Sequence, residues 1–158
     1  MKRVLSEATV LHAVPGVMRR FVTFAREYEG GAPRQLLVGG EAVAPELIAE
    51  MEEVFPRATV RVLYGPTEAT IICGSYEVNP SARVRGQMVG KPLRNVVLRV
   101  LDERGRLVPV GVEGEICVGG EGVARGYLNR PEQTAPAGQR RGQQFQQRDV
   151  EGERGDAR

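Results

Sequence analysis

The sequence is short of net charge, cysteine and histidine, and each shortage closes off a class of function. Lys and Arg together number 22 against 20 Asp and Glu, a formal charge of +2 over 158 residues. So small an excess gives no electrostatic case for binding nucleic acid or a membrane surface. Cys73 and Cys117 sit far apart in apolar stretches, and the lone His12 adds too few partners for a metal site or a disulfide framework. They read as two buried thiols in a reducing compartment. The first nine residues contain early basic residues but no long apolar run, which argues against a signal peptide. No stretch approaches the roughly 18 apolar residues of a membrane span. A cytoplasmic location is the expectation. Internal repeats are also missing.

What is present suits one modest domain. Hydrophobic residues make up 41% of the chain, an ordinary share for a globular core. Residues 10–14 read as a short strand ended by Pro15. Val17, Met18, Phe21, Val22, Phe24 and Ala25 then recur at helical spacing, with Pro15 in the first turn and Gly30-Gly31 as the stop. Leu36-Leu37-Val38 predicts a second strand. Residues 45–55 predict a helix with Leu47, Ile48, Met51 and Val54 on one face, and residues 59–63 a third strand. Strand, helix, strand, helix, strand implies a parallel sheet with flanking helices. Ligands of such sheets bind in loops leaving the carboxyl ends of the strands, here residues 39–42 and 64–70.

The second half changes character. Residues 96–101 and 115–118 are β-rich, with turns at Asp102-Glu103-Arg104-Gly105-Arg106 and around Gly111 and Gly114. Short strands with glycine turns predict a small antiparallel sheet or barrel. The expected division is a parallel α/β portion over 1–82, a β-rich portion over 83–135 and a disordered or frame-shifted tail over 136–158. The tail is rich in Gln and Arg, and only Phe145 and Val150 are sizeable apolar residues.

The chemistry concentrates in Tyr64-Gly65-Pro66-Thr67-Glu68. A tyrosine after a strand offers a flat face to a nucleobase, and Gly65 admits a close backbone approach. Pro66 stiffens the loop. The Thr67 hydroxyl can donate to a phosphate oxygen. Glu68 is a hard oxygen ligand suited to Mg²⁺. The plainer alternative is a strand-to-loop turn with an exposed glutamate.

That pentapeptide resembles the nucleotide-contacting motif of adenylate-forming enzymes, in the form found in adenylation domains of nonribosomal peptide synthetases. Gly114-Glu115-Ile116-Cys117-Val118-Gly119-Gly120-Glu121-Gly122-Val123-Ala124-Arg125-Gly126-Tyr127-Leu128 is similar to the next motif of that family, and Asn129-Arg130-Pro131-Glu132-Gln133-Thr134-Ala135 continues it. The resemblance covers about residues 9–135 and implies an α/β fragment of the large N-terminal part of such an enzyme. It implies ATP/AMP and Mg²⁺ as cofactors. Thr67 and Glu68 would be the catalytic residues, with Glu68 as the metal ligand. Gly40, Glu41, Ala42, Tyr64, Gly65 and Thr67 would bind the nucleotide. His12, Leu37, Gly39, Leu63, Ile71 and Ile72 would line the amino-acid pocket; without the resemblance, His12 reads as a core histidine on a strand. Arg125 and Tyr127 would be packing or surface residues.

In the complete domain the resemblance implies amino-acid activation as aminoacyl-AMP, then loading of the phosphopantetheine thiol of a peptidyl carrier protein. The family's phosphate loop, its ribose-binding aspartate and its catalytic lysine have no counterpart in this sequence. The expectation is that the chain forms no adenylate alone, and that it aggregates or stays molten when expressed alone. Two alternatives remain: an acyl-CoA synthetase fragment, against which Pro66 and the run at 122–128 argue, and a non-catalytic nucleotide- or partner-binding remnant.

Overall fold

The computed structural model describes residues 1–28, 33–81 and 86–134. The Gly30-Gly31 helix stop, the tail over 136–158 and part of the expected boundary lie outside the described residues.

A short helix, α1 (Lys2–Glu7), buries Leu5 and leads into β1 (Val10–Ala13). Helix α2 (Pro15–Ala25) and strand β2 (Gln35–Gly39) follow. Next come α3 (Pro45–Val54) and β3 (Thr59–Tyr64). Both helices begin on a proline, whose fixed φ suits the first turn and whose missing N–H costs nothing there. Glu46 in the first turn of α3 adds a favourable charge at the positive end of the helix dipole.

Strands β1, β2 and β3 pair in parallel, with Leu11 opposite Leu36 and Leu36 opposite Val60. Side chains alternate along a strand. Leu11, Leu36, Val38, Val60 and Val62 therefore share one face, where they join Met18 and Val22 of α2 and Leu47, Ile48 and Met51 of α3 in one buried cluster. The opposite face carries His12, Leu37 and Arg61, which are neighbours in register. Two ion pairs tie the outer surfaces of the helices. Arg19 Nη1 lies 2.8 Å from Glu50, and Arg26 grips Glu53 through two bonds of 2.9 and 3.1 Å. Exposed pairs of this kind contribute little, so the apolar cluster holds the layers together.

Strands β4 (Gly74–Glu77) and β5 (Lys91–Pro92) extend the sheet antiparallel beyond β3, giving the order β1-β2-β3-β4-β5. Sequence patterning did not foresee this extension. Gly-Ser-Tyr-Glu offers no apolar alternation, and β4 is ordered by its neighbour instead. Arg61 of β3 pairs with Glu77 of β4 across the strands. Strands β6 (Val96–Leu101) and β7 (Glu115–Gly120) form a separate two-stranded antiparallel sheet. No barrel closes among the described residues: the second sheet has two strands, β6 and β7, with one isolated bridge from Leu101 to Leu107 beside them. The barrel option of the sequence reading is thereby corrected. The glycine turns gave hairpin chemistry and carried no information on closure. No helix among the described residues is long and apolar enough to cross a membrane.

The turn after β6 is knotted by one side chain. Asp102 Oδ1 accepts the Arg104 and Arg106 N–H groups, both at 2.9 Å, and Oδ2 accepts Arg106 Nε at 2.8 Å. The backbone bond from Arg106, then its side chain, hold the Asp102 carboxyl below its ordinary value of 3.8. A carboxyl whose pKa is depressed on folding stabilises the fold above its unfolded pKa and loses that contribution as pH falls through the folded value. The turn is therefore expected to hold above about pH 4 and to open in more acid solution. The Arg104 and Arg106 amide shifts should titrate together in that range, and Asp102→Asn should abolish the titration. Shifts that stay flat into strong acid in the native chain would rule this out.

Candidate active site

The carboxyl ends of β2 and β3 lie side by side, with Gly39 opposite Leu63. A Cβ on Gly39 would overlap the Leu63 carbonyl oxygen and sit 2.9 Å from Leu63 Cβ, so close strand approach requires glycine here. The loops leaving both strands consequently emerge at one edge of the sheet, as the strand–helix alternation implies.

The loop after β2 holds Gly40, Glu41 and Ala42, all exposed. Its next residue, Val43, is clasped by Gln87. The Val43 N–H donates to Gln87 Oε1 at 2.9 Å, and Gln87 Nε2 donates back to the Val43 carbonyl at 3.3 Å. Gln87 is 44 residues away in sequence, and no local pattern marks it.

The loop after β3 contains Tyr64, Gly65, Pro66, Thr67 and Glu68. Tyr64 is half-buried, and burial, then the neighbouring Cys73, push its phenol above the usual range. The phenol stays neutral at physiological pH, which suits stacking more than acid–base chemistry. Cys73 is buried and Cys117 half-buried; burial raises both thiols above their ordinary value. Thr67–Ala69 forms one 3-10 turn. Thr70 and Ile71 follow with φ of 54° and 70°. Two successive non-glycine residues in the left-handed region are unusual, the more so because Thr70 and Ile71 are both β-branched. Bonds on both sides hold them: Cys73 N–H to the Tyr64 carbonyl at 2.8 Å, and the Thr70 hydroxyl to the Gly122 carbonyl at 2.6 Å.

Gly122 belongs to the loop after β7, and that loop closes over Glu68. The Ala124 N–H donates to the Glu68 carbonyl at 2.7 Å, and the Tyr127 hydroxyl donates to Glu68 Oε1. Thr67, Glu68, Ala124, Gly126 and Tyr127 line a small cavity of about 80 Å³. The two sequence motifs thus meet, and Tyr127, taken from the sequence as packing or surface, touches the expected metal ligand. A separation of 59 residues put this contact beyond any local pattern. Among the described residues there is no group of three or more His, Cys, Asp and Glu side chains able to cage a metal. A cation beside Glu68 would need further oxygens from a phosphate and from water, which is the habit of Mg²⁺.

Of the residues expected to recognise an amino acid, His12, Leu37, Gly39 and Leu63 share the sheet face turned away from α2 and α3. Ile71, 66% exposed, and the half-buried Ile72 lie on the loop before β4.

The model of the family described as "AMP-binding enzyme" matches residues 5–128. Tyrocidine synthase 3 of Brevibacillus parabrevis is 35% identical over 133 residues, covering 82% of this chain and 2% of that protein. Among solved structures, an NRPS protein containing adenylation and PCP domains is 27% identical, with a TM-score of 0.72 over 81% of this chain and 26% of its own. The NpsA N-terminal subdomain of Klebsiella oxytoca, in complex with 3-hydroxybenzoyl-AMSN, is 29% identical. Its TM-score is 0.74, over 85% of this chain and 33% of its own. The chain therefore spans a small part of each of these relatives.

Proposed function

Since the chain belongs to the AMP-binding enzyme family, as a stretch of a nonribosomal peptide synthetase adenylation domain, we propose that it carries the Mg·ATP-contacting turn and part of the amino-acid face of an aminoacyl-adenylate-forming ligase. The observation that carries this reading is the strained turn at Thr67, Glu68, Thr70 and Ile71, locked under the loop after β7 with a hydroxyl and a carboxylate at one cavity.

In the whole enzyme the amino-acid carboxylate would attack the α-phosphorus of ATP, giving aminoacyl-AMP and pyrophosphate. The phosphopantetheine thiol of a carrier protein would then attack the aminoacyl carbonyl, forming the thioester and releasing AMP. Likeness to a protein containing adenylation and PCP domains supports the carrier as partner. Bound Mg²⁺ would neutralise phosphate charge as it builds in the transition state. Within this chain, Glu68 would hold the ion and Thr67 would donate to a phosphate oxygen. Tyr64, neutral and half-buried, would stack against the adenine, and the loop at Gly40, Glu41 and Ala42, pinned through Val43 by Gln87, would border it. His12, Leu37, Gly39, Leu63, Ile71 and Ile72 would border the substrate side chain. Their mostly apolar character favours a small or apolar group.

Calorimetric titration of Mg·ATP tests the reading directly. Once a cooperative thermal melt of the monomer has ruled out the aggregated or molten state, the native chain should bind, and Glu68→Ala should weaken binding by about tenfold or more, the worth of a lost charge-assisted contact. Equal affinities in the two would show that the nucleotide does not use this turn.

A further inference from the structure

We propose that Tyr127 is a positioning residue for Glu68: it fixes the carboxylate before any cation arrives and favours Mg²⁺ over Ca²⁺. This rests on the reading of the turn at Thr67 and Glu68 as a Mg·ATP site.

Three bonds bind the turn at Glu68 to the loop after β7. Two are latches outside the carboxylate: Ala124 N–H to the Glu68 carbonyl and the Thr70 hydroxyl to the Gly122 carbonyl. The third, from the Tyr127 hydroxyl to Oε1, acts on the carboxylate itself. Glu68 is thus held at its main chain and at the end of its side chain by the same loop.

Tyr127 is itself aimed by the chain around it. Gly126 has φ of 147°, and a Cβ there would overlap Thr134 Cγ2 and lie 2.7 Å from Thr134 Oγ1. That same Thr134 oxygen accepts the Tyr127 N–H at 2.9 Å and donates to the Arg130 carbonyl at 2.9 Å. The backbone of Tyr127 therefore has a fixed donor–acceptor partner, and the glycine before it admits no other residue without a shift.

The chemistry follows from two properties of the carboxylate. A glutamate side chain is among the more costly to immobilise, so one already held when the ligand binds loses less on binding. Bidentate chelation requires both carboxylate oxygens to turn to the ion, and the phenol's bond fixes the carboxylate's orientation and takes up one lone pair of Oε1. Ca²⁺ accepts bidentate carboxylates in a loose shell of six to eight oxygens, whereas Mg²⁺ demands a tight octahedron and keeps several waters. A carboxylate steered toward one-oxygen binding suits Mg²⁺ and penalises Ca²⁺.

The experiment pairs Tyr127→Phe with Glu68→Ala, singly and together, in the full chain. Each protein is titrated with Mg·ATP and with Ca·ATP, and its thermal midpoint is recorded. Tyr127 is 41% exposed, and Phe keeps the ring, so the single variant should fold. Tyr127→Phe should weaken Mg·ATP binding about tenfold and Ca·ATP binding less, lowering the Mg²⁺ over Ca²⁺ preference several-fold. In the Glu68→Ala background it should change neither affinity, and its thermal shift should vanish. Equal weakening of both salts would reduce Tyr127 to a structural role. An unchanged effect without Glu68, on affinity or on thermal midpoint, would overturn the proposed contact. If the native chain binds neither salt, the reading of the turn as a nucleotide site fails and the cation role falls with it. The thermal shifts then still decide the contact itself: additive shifts overturn it, and non-additive ones uphold it.

Discussion

Gly65→Ala is expected to lower stability by about 2–3 kcal/mol and to weaken Mg·ATP binding at least tenfold. A Cβ at this position would overlap the Ile71 carbonyl oxygen and lie 2.8 Å from the Cys73 nitrogen. Both obstacles are main-chain atoms, so no rotamer change relieves them. Nor can that loop segment move freely, because the Cys73 N–H is bonded to the Tyr64 carbonyl directly before Gly65. The substitution must push apart the two limbs of the loop whose tip carries Thr67 and Glu68. The cost is therefore shared between fold and site, and stability and binding should fall together. Gly16→Ala is the matched control. A Cβ there meets nothing within 4 Å, and the position lies in the first turn of α2. Ala should be neutral or stabilise by up to about 1 kcal/mol. Urea unfolding and calorimetry on both variants measure the contrast. Native-like stability in Gly65→Ala would mean that the loop limbs part more easily than their hydrogen bond implies.

The sequence was most legible where structure follows from local period. Residues predicted as strand at 10–14, 36–38 and 59–63 became β1, β2 and β3, and prolines at 15 and 45 opened α2 and α3. These elements carry their signal within a few residues, as apolar alternation or helical spacing between turn residues. Helix α1 and strands β4 and β5 carried none. Lys2–Glu7 is too short for a periodic face, and Gly74–Glu77 is polar, so its order comes from pairing with β3. The site divides in the same way. Tyr64-Gly65-Pro66-Thr67-Glu68 could be read as nucleotide chemistry because its parts are adjacent. The contacts that hold the site, Gln87 to Val43 and Tyr127 to Glu68, join residues 44 and 59 apart. Propensity and spacing say nothing at that range. The run at 114–128 reads from the sequence only as a family motif, with Arg125 and Tyr127 as packing or surface residues; in the structure the loop after β7 supplies the acceptor for Thr70, the donor for the Glu68 carbonyl and the hydroxyl on its carboxylate.

Strand β2 gives the sharpest separation of fold from function, in two adjacent residues. Leu36 is 0% exposed at the centre of the parallel sheet, flanked by Leu11 and Val60 and clustered with Met18, Val22 and Met51. Leu36→Ala removes methyl groups from a site enclosed by strands and helices, where little can move in to fill the space. The expected loss is about 3–5 kcal/mol. Against a total of roughly 5–15 kcal/mol for a domain, that is enough to unfold a substantial fraction of the chain at physiological temperature. Leu37 is the next residue, half-buried, and alternation puts it on the opposite face beside His12 and Arg61. Leu37→Ala uncovers less apolar area and leaves the helix-covered cluster intact, so it should cost about 1 kcal/mol or less. Because Leu37 sits on the face proposed to meet the substrate, its effect should appear as altered binding of an amino acid or its adenylate analogue. Denaturant unfolding of the two variants reads the first half of this contrast, and titration with a panel of aminoacyl-adenylate analogues reads the second. A Leu37→Ala chain that unfolds as readily as Leu36→Ala would place this face in the core and remove it from the proposed pocket.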